Sequence, residues 1–317
     1  MLLVAVAKRG GGKTTAVCNL LRMMHQEGSL DRVLAITSTY ESNIPQFEGI
    51  PLSREDVFHP EDPEAIQHIV DIIESERRDY DTYWERMKTW VAMRKAMKQV
   101  QTDKDIFNIH PELLIKAYEL EVMDVEKPEH RWNGKKPVIF LLVDDGQGSR
   151  LMRDKRFVNF CLRHRHLGAR DGDRFGCSVA ILCQTYKSRD AGLPKDIRDN
   201  CTVLLLFRTK NMQVIDGIAE EIADDVPYEQ FLNVYHEAID GQDHGFLTID
   251  FNPKKHRFRR CFDTYIPDES DPGQPGHLRV QLQPKGSKSS AQQSAAGAVA
   301  AQPAAGAGKP GAKRRKH

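Results

Sequence analysis

The sequence lacks paired cysteines. Its six (Cys18, Cys161, Cys177, Cys183, Cys201 and Cys261) include no Cys-x-x-Cys spacing. That argues against a zinc ribbon or a disulfide framework, and reduced thiols in a cytosol- or nucleus-like compartment are expected. The sequence also lacks any run of about 18 apolar residues, so no membrane span is expected. The opening residues, MLLVAVAKRGGGK, have no basic segment ahead of the apolar one and no small-residue cleavage site. They read as a buried strand rather than a signal peptide. Acidic residues are missing from 284–317, where seven basic side chains stand alone. Residues 1–283 then hold 39 basic against 45 acidic side chains. The net charge of +1 over 317 residues is therefore an acidic body near −6 joined to a +7 tail. Such a balance does not exclude a nucleic-acid partner; it confines contact to local basic segments. Aromatic residues are absent from 284–312, which is mostly Gly, Ala, Ser, Gln and Pro. A segment of that composition cannot bury enough apolar surface to offset its ordering entropy, so disorder is expected.

What is present is a series of short apolar runs alternating with helical stretches. LLVAVA (2–7), RVLAITS (32–38), PVIFLLV (137–143), SVAILC (178–183) and TVLLLF (202–207) read as strands buried on both faces. Helices are expected over 13–25, 64–78, 80–100, 111–123, 150–166, 211–223 and 227–238, with a short strand pair at 245–251 and 257–262. Alternation of this kind predicts an α/β fold: a mostly parallel sheet flanked by helices. The expected organisation is one folded domain over 1–267, a helical insert over about 64–125, and a disordered tail over 268–317 with a basic terminus. No internal repeat is found.

The chemistry begins at Ala7-Lys8-Arg9-Gly10-Gly11-Gly12-Lys13-Thr14, between a strand and a helix. The pattern is that of a P-loop, G-x-x-x-x-G-K-[ST], with only the first Gly replaced, by Ala7. Small residues let backbone N–H groups curl around a phosphate, and the helix N-terminus adds its positive dipole end. The expected binding set for ATP is Lys8, Arg9, Gly10, Gly11, Gly12, Lys13, Thr14 and Thr15. Lys13 is assigned to the β- and γ-phosphates, and the Thr14 hydroxyl to Mg²⁺.

Asp144-Asp145 end the apolar run PVIFLLV, at the carboxyl end of a strand, where open α/β sheets bind ligands. Asp144 is assigned to the Mg²⁺ shell and Asp145 to the activation of water. A plain Asp-Asp-Gly turn is the alternative. Gln184, at the tip of SVAILC, suits a sensor of the γ-phosphate. Arg198, just before the next strand, suits an arginine finger offered to a neighbouring subunit. Surface pairing with Asp196 or Asp199 is the competing explanation for Arg198.

Two resemblances follow. Lys8 through Thr15, with Asn19-Leu20, resembles the deviant loop of the ParA/MinD partition ATPases, K-G-G-x-G-K-T-T-x-x-x-N-L, departing from it at Arg9. A longer series resembles the FtsK–HerA superfamily. It comprises Arg165-His166, Gln184-Thr185-Tyr186, Leu193-Pro194, Ile197-Arg198-Asp199-Asn200 and Phe207-Arg208. Within that superfamily the chain is most similar to the poxvirus-type genome-packaging ATPases of large eukaryotic DNA viruses, giant viruses and virophages. The resemblance covers roughly 1–263; it departs at Ala7 and at extra residues near 168–176. It implies an additional-strand, RecA-like P-loop fold and an ATP- and Mg²⁺-dependent translocase of double-stranded DNA. It also implies a homo-oligomeric ring, a capsid or portal-vertex partner, no membrane partner, and residence in the virion, the host nucleus or a cytoplasmic virus factory. Candidate DNA contacts are Arg86, Lys88, Arg94, Lys95 and Lys98, and the run Lys254-Lys255-His256-Arg257-Arg259-Arg260. Lys313-Arg314-Arg315-Lys316 reads as a nuclear localisation signal or a nonspecific nucleic-acid arm.

Overall fold

The computed structural model describes residues 1–267 apart from 125, 189–191, 224 and 254–255. The expected tail, including Lys313 to Lys316, lies outside the described residues. Five parallel apolar strands form the centre: β1 (Leu2–Val6), β2 (Arg32–Ile36), β4 (Ile139–Val143), β5 (Ser178–Cys183) and β6 (Val203–Phe207). Leu3, Val33, Leu141, Ile181 and Leu205 have no exposed surface. An unbroken apolar run is what a strand covered on both faces requires. β3 (Leu52–Phe58) extends the sheet in parallel beyond β2. Three antiparallel strands, β7 (Phe246–Asp250), β8 (Phe258–Arg260) and β9 (Thr264–Ile266), extend it beyond β6.

The order is β3-β2-β4-β5-β1-β6-β7-β8-β9. The strand ending at the acids, β4, is therefore separated from the P-loop strand, β1, by one further strand, β5. This is the additional-strand arrangement expected, an α/β sheet that is mostly parallel and flanked by helices. Two apolar layers cover its faces. One sets Leu2, Val4, Leu141 and Ile181 against helices α5 (Lys155–Arg163), α7 (Met212–Glu221) and α8 (Tyr228–Ile239). The other sets Leu3, Ala5, Phe140 and Leu205 against α1 (Lys13–Gln26) and α2 (Tyr40–Phe47).

Several elements differ from expectation. Residues 64–78 and 80–100 form one helix, α3 (Ala65–Met97), because no Gly or Pro interrupts the stretch. Its first turns bury Ile66, Ile69 and Ile73 against the sheet. Its last turns pack with α4 (Pro111–Glu119) around a separate small core of Met93, Ala117 and Val122. Within the charged stretch between, Glu76 and Arg77 are buried and paired. Glu76 accepts from Arg32 (2.7 Å) and the Trp132 indole (2.6 Å), and Arg77 donates to Asp81 (3.0 Å). α4 stops at Glu119, short of residue 123. The helix expected over 150–166 is broken at Asp154, whose carboxylate caps α5 by accepting from the Arg156 N–H at 2.8 Å. α2, β3 and β9 are additional to the expected elements. β3 is a polar edge strand, and its buried Asp56 takes two hydrogen bonds from Arg32, at 2.6 and 3.0 Å. A short helix, α6 (Lys195–Asp199), precedes β6.

Among the described residues no helix is long and apolar enough to cross a membrane.

Candidate functional site

The chain leaves β1 at Val6 and re-enters helix at Lys13. Gly10 and Gly12 hold φ of +73° and +90°, a conformation glycine adopts without steric cost. Gly11 is constrained by space: a Cβ there would lie 2.8 Å from that of Ala7 and 3.0 Å from the Lys8 carbonyl oxygen. Gly12 is the N-cap of α1 and supplies no side-chain cap, and the first turn contains no acidic residue. The leading N–H groups of α1 are thus left for an anion.

Lys13 is nearly buried and folds back to donate to the Ala7 carbonyl at 3.1 Å. The Thr14 hydroxyl donates to Asp144 Oδ2 at 2.7 Å. Asp144 is only 2% exposed. Burial raises its carboxyl above the usual carboxylate range, and the neighbouring Asp145 adds to the shift. The Thr14 hydrogen bond and the Lys13 charge oppose it. Asp145 stands at φ +52°, donates its N–H to Asp144 Oδ1 at 3.0 Å, and accepts from the Thr39 hydroxyl at 3.1 Å. Thr39 in turn accepts from the Asn43 amide at 2.9 Å. The second acid is therefore held from the turn between β2 and α2.

Gln184 projects, exposed, from the tip of β5. Its backbone N–H and that of Thr185 both donate to the side-chain oxygen of Gln147, at 2.5 and 3.2 Å. The Gln147 amide returns a hydrogen bond to the Thr185 carbonyl at 3.1 Å. One side chain, two residues past the acids, thus ties the acidic loop to the β5 tip.

Arg9, Gly10, Gly11, Gly12, Lys13, Thr14, Thr15, Asp144, Asp145 and Gln184 line a single cleft of about 990 Å³. Thr39, Asn43 and His244 line it as well. Lys8 is exposed and lies outside that lining. Arg198 also lies outside it, on α6. Its guanidinium pairs with Glu221, donates to the Leu193 carbonyl at 3.3 Å and sits 5.4 Å from the Tyr186 ring centroid. The Tyr186 hydroxyl donates to the same Glu221 carboxylate. Neither Asp196 nor Asp199 is the acid that holds Arg198. Gln147, Thr39 and Asn43 join the site without a place in the sequence reading. Thr39 follows Thr37-Ser38 at the end of the RVLAITS run, a cluster of hydroxyl side chains that is itself a signal, whereas Gln147 offers none.

The basic segments divide. Lys88 and Lys95 on α3 and Lys98 just after it are exposed, while Arg86 and Arg94 are half-buried. Arg257 pairs with Asp225 at 2.7 Å and Arg260 donates to the Glu237 carbonyl, which leaves Arg259 exposed. Lys254 and Lys255 lie outside the described residues. Arg165 and His166 sit at the amino ends of the strands, beside Met1 and Cys177, across the sheet from the cleft.

No protein-family model matches the chain, and no curated protein matches it. Among solved structures it is similar to the genome packaging NTPase B204 from Sulfolobus turreted icosahedral virus 2 in complex with ATP-gammaS. That likeness has a TM-score of 0.40 at 10% identity, covering 84% of this chain and 98% of that one. It is similar to B204, the DNA-packaging ATPase from Sulfolobus turreted icosahedral virus, with a TM-score of 0.40 at 11% identity, covering 82% and 96%. The AMP complex of the first protein gives a TM-score of 0.37 at 8% identity, covering 78% and 92%.

Proposed function

We propose that this chain is an ATPase that drives double-stranded DNA into a viral capsid as a ring of identical subunits. One observation carries the hydrolytic part. A glycine-rich loop with Lys13, a Thr14–Asp144 contact, a second acid and the polar tip of the intervening strand all face one cleft. The order of the sheet favours this reading over a ParA/MinD-like partition switch. The packaging part is supported by the motif series from Arg165 to Arg208. On this reading residues 1–267 form the ATPase domain, with the helical insert at about 64–125.

In the proposed reaction Lys13 and the loop N–H groups stabilise phosphate charge. Among the described residues no cluster of His, Cys, Asp or Glu forms an all-protein metal cage. The Thr14 hydroxyl and Asp144 carboxylate are hard oxygen donors, the kind that hold Mg²⁺ together with substrate phosphates. Bound there, Mg²⁺ would supply charge neutralisation at the phosphates. Asp145, fixed by Thr39 and the Asp144 carboxylate, accepts the proton of the attacking water. Gln184 reports whether the terminal phosphate is present. Arg198 serves a neighbouring subunit only after leaving Glu221, so ring assembly must compete with that ion pair.

The test is ATP hydrolysis by purified protein with and without long duplex DNA, beside a native mass. DNA stimulation, loss of turnover in Lys13→Ala and a ring mass are expected. No stimulation with a monomer–dimer mass would sink the motor. Turnover destroyed by Lys8→Ala would favour the partition switch.

A further inference from the structure

The cleft has a chemically distinct second flank. β4 and β5, which carry Asp144, Asp145 and Gln184, lie on one side of β1; β6, β7 and β8 lie on the other. The acids and Gln184 mark the end of the cleft that takes the terminal phosphate. A nucleotide held at the loop between them must direct its nucleoside toward the opposite flank. The lining there is His244, Phe246, Cys261 and Phe262. His244 precedes β7 and stands directly beside the phosphate loop: a Cβ on Gly12 would meet its ring at 3.4 Å. Phe262 meets Phe246 edge to face, with centroids 5.0 Å apart. The turn holding Cys261 is pinned at φ +53°. Its N–H donates to the Phe246 carbonyl at 2.9 Å, and its carbonyl accepts from the Thr248 hydroxyl. Along α1, Thr15, Asn19 and Met23 succeed one another at i, i+4 and i+8, floored by the same cleft.

We propose that His244, Cys261 and Phe262 form the nucleobase subsite of this cleft, an aromatic and apolar slot for the base of a nucleoside triphosphate. The assignment rests on the nucleotide reading above and extends it to the other end of the ligand. An imidazole, a phenyl ring and a thiol offer ring faces and polarisable surface, with few directed hydrogen bonds. A slot of that kind discriminates weakly between bases, so ATP and GTP should bind within about 10-fold of each other.

Cys261 supplies the reporter. It is the one cysteine of the six that is not buried. Burial pushes the Cys18, Cys177 and Cys183 thiols up to about 12, away from the reactive thiolate. Alkylation of the native chain with a thiol reagent, read by peptide mass, should therefore mark Cys261 first. ATP or GTP at ten times its dissociation constant should slow that reaction by roughly 10-fold. Inorganic triphosphate, shown by calorimetry to bind, should leave it unchanged. His244→Ala, at an exposed position, should weaken ATP by about 5–10-fold and leave triphosphate affinity at the wild-type value. Equal protection by ATP and triphosphate, or no protection by bound ATP, overturns the subsite alone. No binding heat from either ligand overturns the nucleotide reading and the subsite with it.

Discussion

A carboxylic acid with almost no contact with water, beside a second acid, holds its proton more tightly than it would in the unfolded chain. That is the situation of Asp144. The sign follows directly. Over the pH range between the ordinary carboxylate value and the raised one, the folded state binds more protons than the unfolded state. Stability therefore falls as pH rises through that window. The nucleotide-free wild type should lose melting temperature there, and Asp144→Asn should melt higher and lack the slope. Thermal unfolding across a pH series measures both. The same substitution should abolish ATP turnover. Asp145→Asn is the contrasting case: it should keep nucleotide binding and lose turnover by about 10²–10⁴-fold, the range for a general base. Turnover near wild type in that variant would remove Asp145 from the chemistry.

At the scale of elements, the loop after β4 and the tip of β5 behave as one unit because of Gln147. Gln147→Ala leaves two N–H groups and a carbonyl without their partner, a cost of about 1–3 kcal/mol where such groups stay dry. Gln184 then loses its fixed position. The expected result is a kcat about 10-fold lower with KM within twofold, and partial recovery in Gln147→Glu, which keeps the acceptor. Unchanged kcat in the alanine variant would show that the β5 tip is held without it. Arg32 is the corresponding fixture at the sheet edge. Arg32→Ala removes both side-chain hydrogen bonds of the buried Asp56 and one of those to Glu76, which keeps Trp132 and Arg131, and should cost about 3–5 kcal/mol in denaturant unfolding. The contrast between these two residues explains what could be read in advance. The five central strands are apolar apart from Arg32 and Ser178 at the starts of β2 and β5, so they and the glycines and acids at their tips are legible in sequence. β3 is not, because its single buried acid is neutralised by an arginine on the neighbouring strand. Gln147 is not, because its partners lie 37 and 38 residues away and are backbone groups. Glu221, which engages Arg198, escapes for the same reason: the pair is 23 residues apart. Local pattern reports burial; it does not report which distant group a polar side chain will meet.

For the whole molecule, charge is the constraint. A body near −6 repels DNA except where cations cluster, and Arg257 and Arg260 are already engaged within the chain. Lys88 and Lys95 on α3, and Lys98 at its end, remain exposed. Replacing all three with Gln should weaken duplex binding without altering basal hydrolysis. It should also flatten the plot of log K against log salt by about 2.7, near 0.9 for each phosphate that is no longer neutralised. An unchanged slope would move the DNA interface elsewhere.

Those lysines lie toward the end of a long rod. At 33 residues, α3 spans roughly 50 Å. It is rooted in the sheet through Ile66, Ile69 and Ile73 and carries its own small core at the far end. A rod of that length multiplies rotation. From Ile73 the helix runs on for roughly 36 Å, so a tilt of about 5.5° there sweeps its end through about 3.4 Å, the rise of one nucleotide along a strand. Movements at the sheet too small to disturb its packing thus become, at the exposed lysines, distances on the scale of the DNA helix.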